Sequence, residues 1–151
     1  MKSKVAIVRC GSYNTEDVRK AVSRGLELIG GAESFVKQGE KILLKVNLLV
    51  GEVPEKCVNT HPAVFRAVAE MFAAKGAIVQ YGDSPGFGAP NAAARKSGIA
   101  DVADELKIEL VDFKEGREVF FEQGNQNKSF YIANGVLNAD GLISLPKMKT
   151  H

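Results

Sequence analysis

The stretch Ala77-Ile78-Val79-Gln80-Tyr81-Gly82-Asp83-Ser84-Pro85-Gly86 decides the fold that we expect for this chain. Its first half is mostly apolar and its second half is typical of a tight loop, so it predicts a buried strand that ends in a polar turn. Gly82 and Gly86 allow backbone angles closed to other residues, and the proline before Gly86 stiffens the turn. Asp83 and Ser84 would then lie at the carboxyl end of a strand, where open α/β sheets bind ligands. The alternative is a turn in which Asp83 or Ser84 only caps the following helix.

Strand patterns and helix patterns alternate along the rest of the chain. Apolar and β-branched runs predict five strands, at residues 5–9, 41–45, 77–81, 108–113 and 142–145. Helical spacing of apolar residues predicts four helices, at residues 15–30, 62–75, 91–96 and 99–106. Residues 118–122 and 129–132 alternate around a turn rich in Gly and Asn, which is typical of a hairpin.

This order of elements predicts one α/β domain over residues 1–151. We expect a mostly parallel sheet in a three-layer arrangement, with helices on both faces and an added antiparallel hairpin. The strands at 5–9, 41–45 and 77–81 are expected to be parallel neighbours. The chain stops a few residues after its last predicted strand, which a native domain seldom does. We therefore expect a fragment whose partner is the missing carboxyl-terminal part of the same protein.

The composition excludes several classes of protein. A hydrophobic content of 45% and a charged content of 25% are ordinary for a globular domain. The net charge of +2 is too small to indicate nucleic acid or an anionic membrane as a partner, and no apolar run is long enough for a membrane span. Cys10 and Cys57 belong to no CxxC pair and are interpreted as free thiols of a cytoplasmic protein.

Polar residues follow the predicted parallel strands at their carboxyl ends. Because parallel strands point the same way, these residues should gather on one edge of the sheet. A single lysine at a strand end is commonly just solvated. A binding site is favoured because polar residues follow several strands that end at the same edge. The residues of this predicted edge are Lys45, Asn47, Gly82, Asp83, Ser84, Gly86, Lys147, Lys149 and His151.

A second segment, Thr60-His61-Pro62, presents a hydroxyl and an imidazole at the start of a predicted helix. Anions are favoured there, although Thr60 could also serve only as the helix cap. Together with the edge lysines, this segment predicts a pocket for a small anionic ligand, such as a phosphate or a carboxylate. In an enzyme, Lys45 would neutralise the anion, Asp83 would act as a general base or an orienting group, and His61 or His151 would carry a proton.

Several other chemistries are not indicated. The chain has no P-loop, no GxGxxG spacing and no GxSxG around Ser84. His61, Asp83, Cys57 and His151 could in principle bind a metal, but no two of them have the spacing of a ligand pair on a helix or hairpin. We therefore expect no metal site and no cofactor held within this chain alone.

Four motifs, taken in order, resemble the "domain of unknown function 362" family over nearly the whole chain. They are Lys45-Val46-Asn47, Thr60-His61-Pro62, Gly82-Asp83-Ser84-Pro85-Gly86 and Pro146-Lys147-Met148-Lys149-Thr150-His151. Many members of that family carry a four-iron ferredoxin module, but this chain has no CxxCxxC run. The resemblance therefore implies an alternative function, a redox partner or scaffold whose iron–sulfur module lies outside this chain.

Overall fold

The computed structural model describes residues 3–111 and 113–149. Its helices are α1 (Thr15–Ile29), α2 (Pro62–Ala73), α3 (Pro90–Lys96), α4 (Ile99–Leu106) and the short α5 (Asn134–Leu137). Its strands are β1 (Lys41–Val46), β2 (Ile78–Gly82), β3 (Glu109–Leu110), β4 (Gly116–Phe120), β5 (Ser129–Ala133) and β6 (Gly141–Leu145).

Strands β3, β2, β1 and β6 form, in that order, a four-stranded sheet in which every pair is parallel. Ile42 of β1 lies opposite Val79 of β2 and Gly141 of β6, so the three longer strands end at one edge. Strands β4 and β5 pair antiparallel in a separate sheet. The predicted α/β fold, with its mostly parallel sheet and its added hairpin, is confirmed.

One face of the sheet carries the main hydrophobic core. Ile42, Leu44 and Val46 alternate along β1 and are buried on that face, as the spacing of a strand dictates. Helix α2 covers them with Phe65 and Phe72, which are both almost fully buried. Helices α1 and α4 pack in turn against α2, so α1 contacts the sheet region mainly through that helix.

The opposite face has a lighter cover. Leu43 points to that face and is fully buried, whereas its neighbour across the strands, Leu142, is 43% exposed. The short helix α5 flanks this face, because Asn134 and Gly135 line the same cavity as Lys41 of β1. Helices thus lie on both sides of the sheet, but unequally.

The prediction of a strand at residues 5–9 was wrong. These residues lie in the described part of the chain, but they form no strand, and β1 pairs with β2 and β6 instead. Val5 and Ile7 are 82% and 93% exposed, and Val8 lies beside Gly25 of α1. A β-branched run favours an extended backbone, but a strand also needs an edge with which to pair.

The other boundaries differ only in detail. Within the strand predicted at residues 108–113, the structure has β3 at Glu109–Leu110, and residue 112 lies outside the described residues. Asn14 caps α1 as its residue type suggests, because its Oδ1 accepts the N–H of Glu16 at 2.9 Å. Among the residues described, no helix combines the length and the apolar character that crossing a bilayer requires.

Candidate functional site

An ion pair between Lys45 and Asp83 joins the ends of β1 and β2. The Nζ atom of Lys45 lies 2.6 Å from Oδ1 of Asp83, well inside the separation of about 10 Å at which two such charges still interact. The other carboxylate oxygen of Asp83 accepts the backbone N–H of Leu48 at 2.8 Å. The Asp83 side chain is only 6% exposed, whereas that of Lys45 is 42% exposed. The pair therefore consists of a buried carboxylate and an accessible ammonium.

This geometry favours the orienting role for Asp83 over that of a general base. Both of its oxygens are engaged, and its burial keeps bulk water away. The Nζ atom of Lys45 also donates to the carbonyl oxygen of Val46 at 3.4 Å. An ammonium has three N–H donors, and the described part of the chain engages two of them, which leaves one for a ligand.

Contacts, and not positive φ angles, explain Gly82 and Gly86 at the start of the loop after β2. Neither Gly82 nor Gly86 has a positive φ, so the expectation that they supply angles closed to other residues was wrong. Gly82 is required for space, because a Cβ atom there would overlap the ring of Phe113. The N–H of Gly86 donates to the carbonyl of Leu49 at 2.9 Å, which holds the loop beside the residues that follow β1.

The capping alternative for this loop does not apply. Helix α3 begins at Pro90, and its cap residue is Ala89, so neither Asp83 nor Ser84 caps it. Ser84 is exposed at the surface of the loop. It is therefore placed where a ligand could reach it.

Thr60 connects the end of β1 to the end of β6. Its buried Oγ1 accepts the N–H of Asn47 at 2.8 Å and donates to the carbonyl of Leu145 at 2.5 Å. The Thr60 hydroxyl therefore holds the ends of β1 and β6 together and is not available to a ligand. The Asn47 side chain is half-buried and makes no hydrogen bond among the residues that the structure describes, which leaves its amide open to a ligand.

His61, and not Thr60, caps helix α2. Its Nδ1 accepts the N–H of Ala63 at 3.1 Å. Its ring stacks on that of Tyr13, with the centroids 3.9 Å apart and the planes 10° from parallel. Burial lowers the pKa of His61, and the ammonium of Lys147 lowers it further, while Glu55 opposes both.

Lys147 completes a second cluster at the end of β6. Its Nζ donates to the hydroxyl of Tyr13 at 2.8 Å and lies 5.1 Å from the centre of that ring. With His61 and Thr60, these residues line a cavity of about 290 Å³. Exposed Met148 forms its outer side.

The remaining predicted residues fall outside these two clusters. Lys149 donates to the carbonyl of Val58 at 2.9 Å, so it fastens the end of the chain to the loop before α2. His151 lies outside the described residues. The structure thus brings Lys45 to Asp83 and His61 to Lys147, and Thr60 links the two clusters through backbone groups.

Two residues of the site were missed by the sequence analysis. Tyr13 joins His61 and Lys147, although it lies far from both in sequence, so no local pattern links it to them. Asn59 is buried and stabilises the loop between β1 and α2. Its Oδ1 accepts the N–H of Glu52 at 2.8 Å. The position of Asn59 next to Thr60 was the available signal for a structural role. Nothing in the sequence indicated which backbone groups it would bind.

Metal-binding groups are dispersed in this fold. In the described ranges 3–111 and 113–149, no three His, Cys, Asp or Glu side chains lie close enough to hold an ion. Cys10 and Cys57 are both exposed and unpaired.

Comparison with known proteins gives two matches. The family model described as "Domain of unknown function (DUF362)" matches residues 42–151, which begin in β1 and contain every predicted site residue but not Tyr13. A thylakoid-associated protein of Synechocystis sp. is 33% identical over 151 residues, which are 100% of this chain and 46% of that protein. The chain therefore spans about half the length of this relative. No solved structure matches the chain. The length of the family match, together with this relative, shows that the chain belongs to the DUF362 family.

Proposed function

We propose that this chain binds a small anionic metabolite or a phosphorylated cofactor at the carboxyl edge of its sheet, as part of an enzyme. One observation carries the proposal. The ammonium of Lys45 is held in place at that edge by a carboxylate that is itself buried. A lysine at the surface is normally mobile, so an ammonium that is fixed in place and still accessible is suited to binding an anion.

The neighbouring strand supports this proposal. β6 pairs with β1 and ends at the same edge, and Lys147 and Lys149 follow it directly. The amide of Asn47 lies next to Lys45 in the chain and can donate or accept a hydrogen bond. Positive charges and an adaptable amide at one edge are suited to carboxylate and phosphate groups.

The proposal also includes a cytoplasmic location. The exposed and unpaired thiols of Cys10 and Cys57 support it, because free thiols persist in a reducing compartment. The name of the Synechocystis relative places that protein at the thylakoid. Fractionation of cells that express this chain would test the location.

Calorimetric titration with phosphate, citrate and ATP would test the binding. We expect at least one of these anions to bind, and Lys45→Met to weaken its binding about 10-fold or more, which is the value of a hydrogen bond to a charged group. Lys75→Met is the matched control, because Lys75 lies beyond the far end of α2 and its ammonium pairs with exposed Glu33. It removes the same charge and should leave the affinity unchanged.

A second variant keeps this test independent of folding. Lys45→Met combined with Asp83→Asn also lacks the ammonium, but leaves no buried carboxylate without its partner. Equal affinity of the parent and both variants for every anion would contradict the proposal. An absence of binding by the parent would contradict it as well, and would leave the redox partner as the better hypothesis.

A further inference from the structure

The hydrogen bond between His61 and Ala63 fixes the position of the imidazole proton. A backbone N–H can only donate, so Nδ1 of His61, which lies 3.1 Å from it, must be the unprotonated nitrogen. A neutral imidazole has one proton, which must then be on Nε2. In this arrangement His61 can donate a hydrogen bond from Nε2 and has no free lone pair with which to act as a base.

The start of helix α2 offers an anion no other donor in its first turn. Pro62 has no N–H, Ala63 donates to Nδ1 of His61, and Val64 donates to the carbonyl of His61 at 3.0 Å. The backbone donors that usually bind anions at a helix start are therefore occupied. The Nε2–H of His61 takes their place.

The cavity around this imidazole is rich in donors. Lys147 donates to the oxygen of Tyr13, so the phenolic proton of Tyr13 is free to be donated elsewhere. Thr60 gives its proton to Leu145. The side chains described around this cavity include no carboxylate. An ammonium, a phenol and an imidazole N–H thus share one cavity of about 290 Å³.

We propose that this cavity is an oxyanion site, in which Tyr13, neutral His61 and Lys147 each donate a hydrogen bond to a carboxylate or phosphate group of the ligand. The proposal rests on the proposed function and extends it, because it identifies the group of the ligand that is recognised. It assigns a binding role to Tyr13. It also replaces the proton-carrying role expected for His61 with that of a hydrogen-bond donor.

The electrostatic surroundings agree with a neutral imidazole. Burial of His61 and the positive charge of Lys147 lower its pKa, and the more weakly acting Glu55 is the opposing charge. Stacking on Tyr13 holds the ring in the orientation that keeps Nδ1 on the helix. A neutral donor next to an ammonium can bind an oxyanion without first taking up a proton.

Nitrogen-15 NMR of the imidazole would test the protonation state directly. The chain has two histidines, so comparison of the parent with His61→Asn assigns the signals of His61. We expect the tautomer with its proton on Nε2 at pH 7.5, and a shift of the Nε2 signal when inorganic phosphate is added. A proton on Nδ1, or a doubly protonated ring in the phosphate complex, would overturn the proposal.

Phosphate titration of single variants would then locate the ligand. Tyr13→Phe keeps the stacked ring, and His61→Asn keeps a side chain that caps helices well, so both should fold. Each should weaken phosphate binding by about 2-fold to 10-fold, the value of one neutral hydrogen bond, and Lys147→Met should weaken it by more than 10-fold. Lys75→Met is again the control.

The pattern of losses separates this proposal from the broader one. If Lys45→Met weakens phosphate binding while Tyr13→Phe and His61→Asn do not, the edge binds an anion but the oxyanion site is wrong. If none of phosphate, citrate and ATP binds to the parent chain, both proposals are wrong. If citrate or ATP binds but phosphate does not, the broader proposal stands and the oxyanion site for phosphate is wrong. Losses in Tyr13→Phe, His61→Asn and Lys147→Met together support the oxyanion site.

Discussion

Replacing Lys45 with methionine should destabilise the fold, although the Lys45 side chain is itself partly exposed. Asp83 is buried, and its charge is compensated by one ammonium and one backbone N–H. Methionine keeps much of the volume of the lysine stem but removes the ammonium. Among the residues that the structure describes, the buried Asp83 carboxylate then keeps only the N–H of Leu48 as a donor.

The size of the effect follows from the unequal exposure of the two partners. Breaking a fully buried ion pair costs about 3–5 kcal/mol, because one charge stays buried without a partner. The Lys45 side chain is 42% exposed, so solvent already screens part of the interaction and we expect about 1–3 kcal/mol. For a chain of this size, each kcal/mol lowers Tm by about 2–4 °C.

A double-mutant cycle measured by urea unfolding would test this reasoning. Asp83→Asn alone should cost about 1–2 kcal/mol, because the bond to Leu48 is retained but loses its charge. The double variant should be more stable than the sum of the two single losses predicts, by about 1 kcal/mol, since a neutral amide in place of the carboxylate needs no ammonium. Single losses that add to within about 0.3–0.5 kcal/mol would refute the view of Asp83 as a charge that depends on Lys45.

Three further predictions concern the same edge. Gly82→Ala should cost about 1–3 kcal/mol by urea unfolding, because its Cβ would overlap an aromatic ring, whereas Gly86→Ala should cost less, since the nearest atoms to its Cβ lie 4.0 Å away. Thr60→Val should lose about 1–3 kcal/mol and Thr60→Ser much less, because the buried hydroxyl bridges two strand ends; equal losses in both would contradict this bridge. The parent should lose stability as the pH falls below 6.5, because the lowered pKa of His61 makes the unfolded chain the better proton binder in that range, and His61→Asn should flatten this dependence in pH-resolved melting curves.

The sequence predicted the central sheet well because its signals there are local. The apolar run of Ile42, Leu43 and Leu44 needs burial on both faces, and β1 indeed lies between two parallel strands. The meeting of Lys45 and Asp83 followed from topology alone, since parallel strands end at one edge.

The failures concern interactions that are distant in sequence. Residues 5–9 have the composition of a strand, but the pairing of β1 with β2 and β6 leaves no edge of β1 for them. Gly82 was correctly singled out for the wrong reason, because the crowding by Phe113 comes from a segment far along the chain. The contact of Tyr13 with His61 likewise depends on how α1 is placed beside α2, which local patterns do not encode.

The exposed apolar run near the amino terminus affects how copies of this chain behave at high concentration. Val5 and Ile7 face solvent in a segment of strand-like composition, which is the kind of surface that promotes strand-to-strand aggregation. Lys4 and Arg9 flank the run, and their like charges repel the same segment of an approaching copy. Salt weakens this repulsion, because the screening length falls to about 3 Å at 1 M ionic strength. The chain should therefore stay dispersed in dilute buffer and self-associate through this segment as the salt concentration rises.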